Sequence, residues 1–331
     1  MLAGLPGEFE KQSAILLGCN ELLPEHPRAL VEIIGALIER LPVIVMIGGE
    51  DLRGQVITTL CDWGVPTHLL RYVAVPMGGM WARDCGPSFV RREGPRLEIV
   101  QAGGSNGASD LSGAPEALSE LLKLPIRRVP LMLDGGCLLS NGAGLYVTTR
   151  RLIEANERRG YGQAQVEATL RQEYGMERLV VLQPLENEPT GHIDLFAAFA
   201  AENVLVLGQY DRRVDPINAD VLEANARRLA RVRPGTGALK VVRMPMPTNG
   251  GGLWHTYTSV VFANGRLLVQ RYPFLDGDCE RKAMKLWADL LRGWQVMGVD
   301  ASTLVRQHGS IRGICINIPC AGEGAGPTFR L

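Results

Sequence analysis

Trp81-Ala82-Arg83-Asp84-Cys85-Gly86-Pro87 and Gly191-His192-Ile193-Asp194 are the two stretches that say most about this chain. Each stretch places titratable side chains beside glycine, proline or bulky apolar residues. Charged groups in such surroundings are costly to bury unless they are paired. The two stretches are therefore candidates for a site that binds a charged ligand.

A unit of one helix followed by one strand recurs around these motifs. Helical periodicity is followed five times by a run of β-forming residues, and the helices start about 50 to 65 residues apart. The predicted helices cover residues 51–63, 115–123, 163–174, 217–232 and 278–294, and the strands cover 66–75, 125–133, 178–185, 239–246 and 295–299. A further helix and strand, at 27–40 and 43–47, precede the five units.

A polar or glycine-rich motif follows every unit. These motifs lie at residues 81–87, 134–136, 191–194, 249–259 and 309–313. Five equivalent units that each deliver a motif at the same point predict pseudo-symmetry, with the motifs converging on one axis. Glycine permits close approach of the backbone there. The repeat favours a single domain that spans residues 1–331.

Composition excludes several classes of protein. The chain has 331 residues, 46% of them apolar, and its 35 Lys and Arg balance 35 Asp and Glu. Without a basic block, nucleic acid is not an expected partner. Seven cysteines without CxxC or zinc spacing favour reduced thiols in the cytoplasm. We find no signal peptide, and no apolar run approaches the roughly 20 residues of a membrane span.

Asp84 and Asp194 are the leading candidates for ligand binding, because paired carboxylates match a planar guanidinium or amidinium cation. His192 and Asp194 are two residues apart, so on a strand both would face the same way. His192 would then be placed for proton transfer beside a carboxylate. The alternative is that Arg83 and Asp84 form a structural ion pair and His192 is a core histidine.

Metal binding has weaker support. His192 and Asp194 could be two ligands, but no third ligand stands at a characteristic spacing, so no metal is expected. Asp134-Gly135-Gly136 could be an ordinary turn, and 249–252 could be a loop or a lid. The glycine-rich run 103–107 lacks the lysine and helix of a phosphate loop.

These motifs together resemble the agmatine deiminase and Porphyromonas-type peptidylarginine deiminase family, within the guanidino-group-modifying superfamily. The likeness begins at Gly7-Glu8-Phe9-Glu10, includes the motifs at 81–87, 134–136 and 191–194, and ends at 309–319. The resemblance implies an α/β fold of the pentein type, a five-bladed pseudo-symmetric α/β propeller. That fold agrees with the repeat.

The resemblance also implies a mechanism without metal or organic cofactor. Asp84 and Asp194 would bind the guanidinium of a small ligand such as agmatine or arginine, and His192 would act as general acid and base. A cysteine thiolate would attack the guanidinium carbon, ammonia would leave, and water would release a ureido product. Further substrate-binding positions implied are Trp81, Arg83, Asp134, Asn249 and Ser259. A homo-oligomer is a further expectation.

The chain departs from the family pattern at the nucleophile. The family run ends in His-Cys, whereas this run reads Gly309-Ser310-Ile311-Arg312-Gly313, so Gly313 stands at the cysteine position. Cys315 is the competing nucleophile, displaced by about 6 to 7 Å along a strand. Asp134 stands where glutamate is usual, and Ser259 stands where the family has asparagine. A Trp-Pro pair expected near the N-terminus is replaced by Leu17-Gly18-Cys19.

Three functions remain open from the sequence. The first is a deiminase-type hydrolase whose nucleophile is deleted or supplied differently, the second a guanidinium-binding protein without activity, and the third an amidinotransferase-like enzyme. We expect Asp84, Asp134, His192, Asp194 and Gly313 to converge in one pocket. Without a thiolate at residue 313, ammonia release from agmatine should be very small. Substitution of Asp194 by asparagine should weaken ligand binding more than folding.

Overall fold

Five small β-sheets organise the described part of the chain. The computed structural model describes residues 3–75, 79–94, 96–103, 113–233, 235, 237–247, 249, 252–275 and 277–322. Within these residues the fold is mixed α/β, with one four-stranded and four three-stranded sheets. The predicted α/β class is confirmed, and the glycine-rich run 103–107 lies largely outside the described residues.

The strands are short, and β2 (Val43–Ile47) consists of apolar, mainly β-branched residues. This run is buried at every position, as expected for a strand covered on both faces. The strands are β1 Gln12–Gly18, β2 Val43–Ile47, β3 Leu70–Ala74, β4 Ser88–Arg92, β5 Arg96–Gly103, β6 Ile126–Met132, β7 Leu138–Ser140, β8 Leu145–Thr149, β9 Arg178–Leu182, β10 Ala197–Ala201, β11 Val204–Gln209, β12 Lys240–Pro245, β13 Val261–Ala263, β14 Arg266–Arg271, β15 Gln295–Asp300 and β16 Cys315–Pro319.

Helices occupy the connections between parallel strands. Several begin with a proline in the first turn, where its missing N–H costs nothing, and Asp215 caps one of them by accepting a hydrogen bond from the Asn218 N–H at 3.0 Å. The helices are α1 Leu22–Glu25, α2 Pro27–Leu37, α3 Glu50–Asp62, α4 Ala82–Cys85, α5 Ala114–Leu122, α6 Arg150–Glu157, α7 Gln163–Tyr174, α8 Pro216–Leu229 and α9 Gly277–Leu290, with 3₁₀ turns at Ile193–Leu195 and Leu304–Gln307.

The three-stranded sheets share one plan. In the sheet β4-β5-β6, the first two strands are antiparallel and the last two are parallel, with α5 in the crossover. The sheets β7-β8-β9, β10-β11-β12 and β13-β14-β15 repeat this order. Each predicted motif follows the last strand of a sheet, so the motifs occupy equivalent connections.

The first sheet corrects the repeat read from the sequence. Its order is β16-β1-β2-β3, and β1 pairs antiparallel with β16 and parallel with β2. The unit equivalent to the others is therefore β16-β1-α2-β2, and α3-β3 is the additional pair. The sequence suggested the reverse, because β16 lies at the far end of the chain and leaves no local signal.

The predicted helices and last strands are confirmed with ends shifted by a few residues. The hairpin strands and α6 were not predicted. Most of these strands have only three to six residues, so an alternating pattern has little length in which to show itself. Among the described residues, no helix is both long and apolar enough to cross a membrane.

Trp287 on α9 is the largest side chain among those that are fully buried. Its indole Nε1 donates a hydrogen bond to the Tyr257 carbonyl at 2.8 Å, and its ring meets Phe262 edge to face. This contact connects α9 to the main apolar core and to the loop that carries Thr258 and Ser259.

We predict that Trp287→Ala lowers the free energy of unfolding by about 3–5 kcal/mol, because it opens a large cavity and orphans a buried carbonyl. Trp63→Ala is the matched control, since Trp63 is 60% exposed. Denaturant titration of both variants would measure the difference. Equal stability losses would contradict the assignment of α9 to the core.

Candidate active site

Asp134 and His192, which follow β6 and β9, meet in the interior. His192 Nε2 lies 3.1 Å from Asp134 Oδ2, and both side chains are buried. A Cβ atom on Gly136 would lie 2.3 Å from His192 Nδ1. Glycine is therefore required at that position for the imidazole to reach the carboxylate.

Cys137 is the third side chain of this group, and sequence analysis did not select it. Its Sγ lies 3.9 Å from Asp134 Oδ2, and the polar atoms of Asp134, Cys137 and His192 all lie within 4.8 Å of one another. The cysteine directly follows Asp134-Gly135-Gly136, so its position beside that motif was the available signal. We call these three residues the thiol–imidazole–carboxylate group.

These are also donor types that a zinc ion accepts, so the structure supplies the third potential ligand that the spacing did not reveal. It stands beside His192 and Asp134 rather than beside Asp194. In the structure, one imidazole nitrogen and one carboxylate oxygen already share a hydrogen bond. The side chains of His192 and Asp134 therefore already form an acid–base pair with each other.

The protonation of this group is coupled. Burial alone would lower the pKa of His192, but the Cys137 sulfur, the hydrogen bond with Asp134 and the charge of Asp84 raise that pKa well above its usual value. Burial raises the pKa of the Cys137 thiol, and the neighbouring His192 opposes that rise. An imidazolium beside a sulfur favours the thiolate as the reactive form.

Asp84 lies on the short helix α4 and interacts electrostatically with His192 and Asp134. Burial raises its pKa from the ordinary 3.8 to about 6, and the carboxylates of Asp134 and Asp194 add to the rise, whereas His192 and Arg83 oppose it. Among the described residues no arginine or lysine lies within ion-pair distance of this carboxyl. Asp84 is thus the carboxylate of the site whose charge is least compensated by the protein.

Asp194 already holds a guanidinium that belongs to the chain itself. Arg312 Nη1 donates to Asp194 Oδ2 at 2.6 Å and to the Gly135 carbonyl at 3.2 Å. Ser259 Oγ donates to the same Asp194 oxygen at 3.4 Å. Arg312 stands at the family's histidine position, so the departure from the pattern was visible, but its contact with Asp194 was not.

Glu8 joins the two buried arginines and was not selected from the sequence. It accepts hydrogen bonds from Arg83 Nη1 at 2.6 Å and from Arg312 Nη2 at 2.8 Å. Arg83 Nε also donates to the carbonyls of Arg312 and Cys315, at 3.0 and 2.9 Å. Arg83 therefore holds the last motif in place through Glu8 and the backbone. The alternative left open by the sequence, a structural ion pair of Arg83 with Asp84, does not form, since Arg83 pairs with Glu8.

The predicted strand at His192 and Asp194 is also wrong. His192 has an extended backbone, but Ile193–Leu195 forms a 3₁₀ turn. The two side chains therefore do not share a strand face. His192 reaches Asp134, while Asp194 reaches Arg312 and Ser259.

Trp81 lies against the glycines of the last motif. A Cβ on Gly309 would lie 1.7 Å from its ring, so no side chain fits there. At Gly313 a Cβ would meet Trp81 and the Ser310 carbonyl at 3.3 Å, a contact that a small shift can relieve. The backbone of residue 313 is not in the left-handed region that favours glycine, so a side chain there causes no backbone strain.

Cys315 does not join the side chains around His192. It lies on β16 opposite Leu17 of β1, is fully buried, and belongs to the apolar core. Burial raises the pKa of its thiol to about 12. Its role as a competing nucleophile is therefore not supported, because Cys315 belongs to the apolar core and burial disfavours its thiolate.

Asn249 belongs to another region. Its amide Nδ2 donates to Tyr210 Oη at 2.8 Å, and its Oδ1 accepts from the His255 N–H at 3.0 Å. It lines a cavity of about 530 Å³ together with Trp254 and His308. No hydrogen bond among the described residues connects it to His192 or Asp194, and Gly250 and Gly251 lie outside those residues.

We predict that Asp84→Asn stabilises the protein at neutral pH. Because the folded-state pKa of Asp84 is raised to about 6, its contribution to stability is complete below about pH 4 and is lost as the pH rises through about 6. The neutral amide avoids that loss, so the free energy of unfolding of the variant should exceed that of the parent by on the order of 1–3 kcal/mol at pH 7.5. Denaturant titrations at pH 4.5 and 7.5 measure the difference.

The control for that titration is Asp62→Asn, which changes an exposed carboxylate. The difference between this control and the parent should not vary with pH in the same way. An equal loss of stability in Asp84→Asn at both pH values would show that the carboxylate makes favourable contacts that outweigh the cost of its burial.

Comparison with known proteins supplies the family. A model of the Porphyromonas-type peptidyl-arginine deiminases matches residues 4–319. The chain is 28% identical over 292 residues to a Legionella pneumophila (strain Paris) protein named "Putative agmatine deiminase", covering 83% of this chain and 81% of that protein.

Solved structures show the same fold. The Porphyromonas gingivalis structure named "Putative Arginine Deiminase" is 25% identical, with a TM-score of 0.83 and coverage of 96% of this chain and 98% of that one. The C. jejuni agmatine deiminase is 19% identical, with a TM-score of 0.81 and 96% coverage of both chains. With the family model matching nearly the whole described sequence, the chain belongs to the Porphyromonas-type peptidyl-arginine deiminase family.

Proposed function

We propose that this protein hydrolyses a C–N bond of a small guanidino or amidino compound such as agmatine, giving a ureido product and ammonia. The observation that carries the proposal is the hydrogen-bonded pair of His192 and Asp134, with the incompletely compensated carboxyl of Asp84 in its field. Such a site offers a carboxylate to a cation and a proton donor to its leaving amine.

The ligand geometry follows from the charges that are already paired. Arg312 occupies one oxygen of Asp194. A ligand cation would therefore be received chiefly by Asp84, whose ionisation it would favour, and it would share Asp194. His192, held by Asp134, would donate a proton to the nitrogen that departs as ammonia.

We also infer the fold-level arrangement from these contacts. Side chains or backbone from all five equivalent connections meet around Asp194, Arg312 and Trp81. This convergence supports a five-bladed, pseudo-symmetric α/β propeller forming one domain, with the site on its axis.

A second candidate function is binding of a guanidinium ligand without turnover. Two observations favour it: Gly313 provides no thiol at the family position, and Arg312 already places a guanidinium on Asp194. Such a protein would bind agmatine, and ammonia would not be released. A measurement of ammonia release from agmatine, in a protein that binds agmatine, separates the two candidates.

We predict that Gly313→Cys raises ammonia release from agmatine at least tenfold, about 1.4 kcal/mol of activation free energy. The change returns a thiolate to the family position, where a Cβ would need shifts of a few tenths of an ångström by Trp81 or the Ser310 carbonyl. Gly313→Ser is the matched control, with similar size and a far weaker nucleophile. Ammonia and ureido product would be quantified together. Equal rates in both variants would contradict the prediction that a thiolate at residue 313 attacks the ligand.

We predict that Asp194→Asn weakens both ligand binding and folding. The expectation from sequence, that binding would suffer much more, is revised because Asp194 neutralises the buried Arg312. Loss of this charge-assisted hydrogen bond should lower the free energy of unfolding by about 1.5–3 kcal/mol. Asp211→Asn, which breaks the exposed pair with Arg213, is the matched control and should destabilise the protein much less, because solvent screens that pair.

Calorimetric titration with agmatine and denaturant titration would be carried out on both variants. An unchanged stability of Asp194→Asn would mean that Glu8 alone suffices to compensate Arg312. An unchanged agmatine affinity would remove Asp194 from the ligand site.

A further inference from the structure

Cys137 is the thiol that the structure places against the acid–base pair. It is 4% exposed, directly follows the turn that carries Asp134, and has its polar atom within 4.8 Å of those of Asp134 and His192. By contrast, Cys315 lies in the apolar core, on the strand that pairs with β1. Thiol, imidazole and carboxylate side by side are the parts of an activated sulfur nucleophile.

We propose that Cys137 replaces the missing cysteine at residue 313 as the nucleophile of this protein, with His192 as its acid–base partner and Asp134 orienting the imidazole. The inference rests on the proposed hydrolysis of a guanidino or amidino compound. It assigns a catalytic role to a residue outside the motif that carries the family's cysteine.

The covalent step is balanced within the thiol–imidazole–carboxylate group. In the reactive form Cys137 is a thiolate and His192 an imidazolium. The sulfur attacks the guanidinium carbon, a C–S bond forms, and the C=N electron pair moves to nitrogen. His192 then gives its proton to one NH₂ group, the C–N bond breaks, and ammonia leaves a thiouronium adduct on Cys137.

Water completes the cycle. Neutral His192 takes a proton from the water that attacks the thiouronium carbon, and collapse of the adduct expels the Cys137 thiolate. The remaining O–H proton of the product passes to the ammonia. Guanidinium and water are thereby converted to a urea and ammonium, with no oxidant or reductant.

The carboxylate of Asp84 would bind the cationic ligand beside this thiol. Its charge acts on both His192 and Cys137. A bound cation at Asp84 would favour the thiolate over the thiol in a group that burial otherwise keeps protonated. The nucleophile would therefore form when the ligand is present.

The first test uses 2-chloroacetamidine, which combines an amidinium with a carbon that a thiolate alkylates with loss of chloride. Peptide mapping by mass spectrometry should find the label on Cys137 in the parent protein, and agmatine should slow the labelling. Cys137→Ala should reduce the labelling rate at least tenfold, whereas Cys315→Ala, also a buried cysteine, should label like the parent.

Labelling of another cysteine in the parent would overturn the proposal. The proposal would also be overturned if the parent stayed unlabelled while Gly313→Cys was labelled at residue 313. In that case the ligand site and the proposed function would survive. If neither protein is labelled and neither binds agmatine, the proposed function fails together with the inference.

The second test separates a catalytic thiol from a positioning one. Cys137→Ala and Cys137→Ser should each lower ammonia release by the parent at least tenfold. In the Gly313→Cys background, Cys137→Ala should lower ammonia release by a much smaller factor than it does in the parent, because a thiolate is then supplied from residue 313. An equal fall in both backgrounds would show that Cys137 only positions His192, and an unaffected parent rate in Cys137→Ala would exclude it as nucleophile.

Discussion

The buried charges of Glu8, Arg83, Arg312 and Asp194 are the interaction on which the rest of the site depends. Two guanidinium groups lie between two carboxylates, with hydrogen bonds of 2.6 to 3.1 Å that join the N-terminal segment to three of the motifs. Any one of these ions alone would be too costly to bury. Together they fix the backbone of the first and last motifs, since Arg83 also donates to the carbonyls of Arg312 and Cys315. The segments that connect the sheets are thereby held against one another by buried charges.

This network also determines which charges remain for a ligand. Arg312 and Ser259 both approach Asp194 Oδ2, so the carboxylate most available to a cation is Asp84. The pKa of Asp84 is raised to about 6 by burial and by its acidic neighbours, which shows that little positive charge of the protein compensates this carboxylate. In the proposed function, the ligand cation would bind next to the acid–base pair of His192 and Asp134. The site thus differs from a simple guanidinium clamp of two equivalent carboxylates.

Much of the fold and part of the site could be predicted from the sequence. Helical periodicity and β-rich runs located α3, α5, α7, α8 and α9 with their following strands, because these signals are local. The pairing of β1 with β16 could not be found, since it joins residues some 300 positions apart. Asp84, Asp134, His192 and Asp194 were selected for their chemistry. Arg312 and Cys137 were not, because their importance comes from contacts between separate loops, and Cys137 carries no signal except its place after Gly136.

The antiparallel pairing of β1 with β16 has a consequence for biosynthesis. β16 is synthesised some 300 residues after β1, with Gln12 opposite Pro319. Until β16 has left the ribosome, the β1 edge of the first sheet is unpaired, and such edges can pair with other chains. The same delay applies to Glu8, whose partner Arg312 is synthesised about 300 residues later. The first sheet and the charge network can therefore be completed only after β16 has been made, and contacts of such long range form slowly.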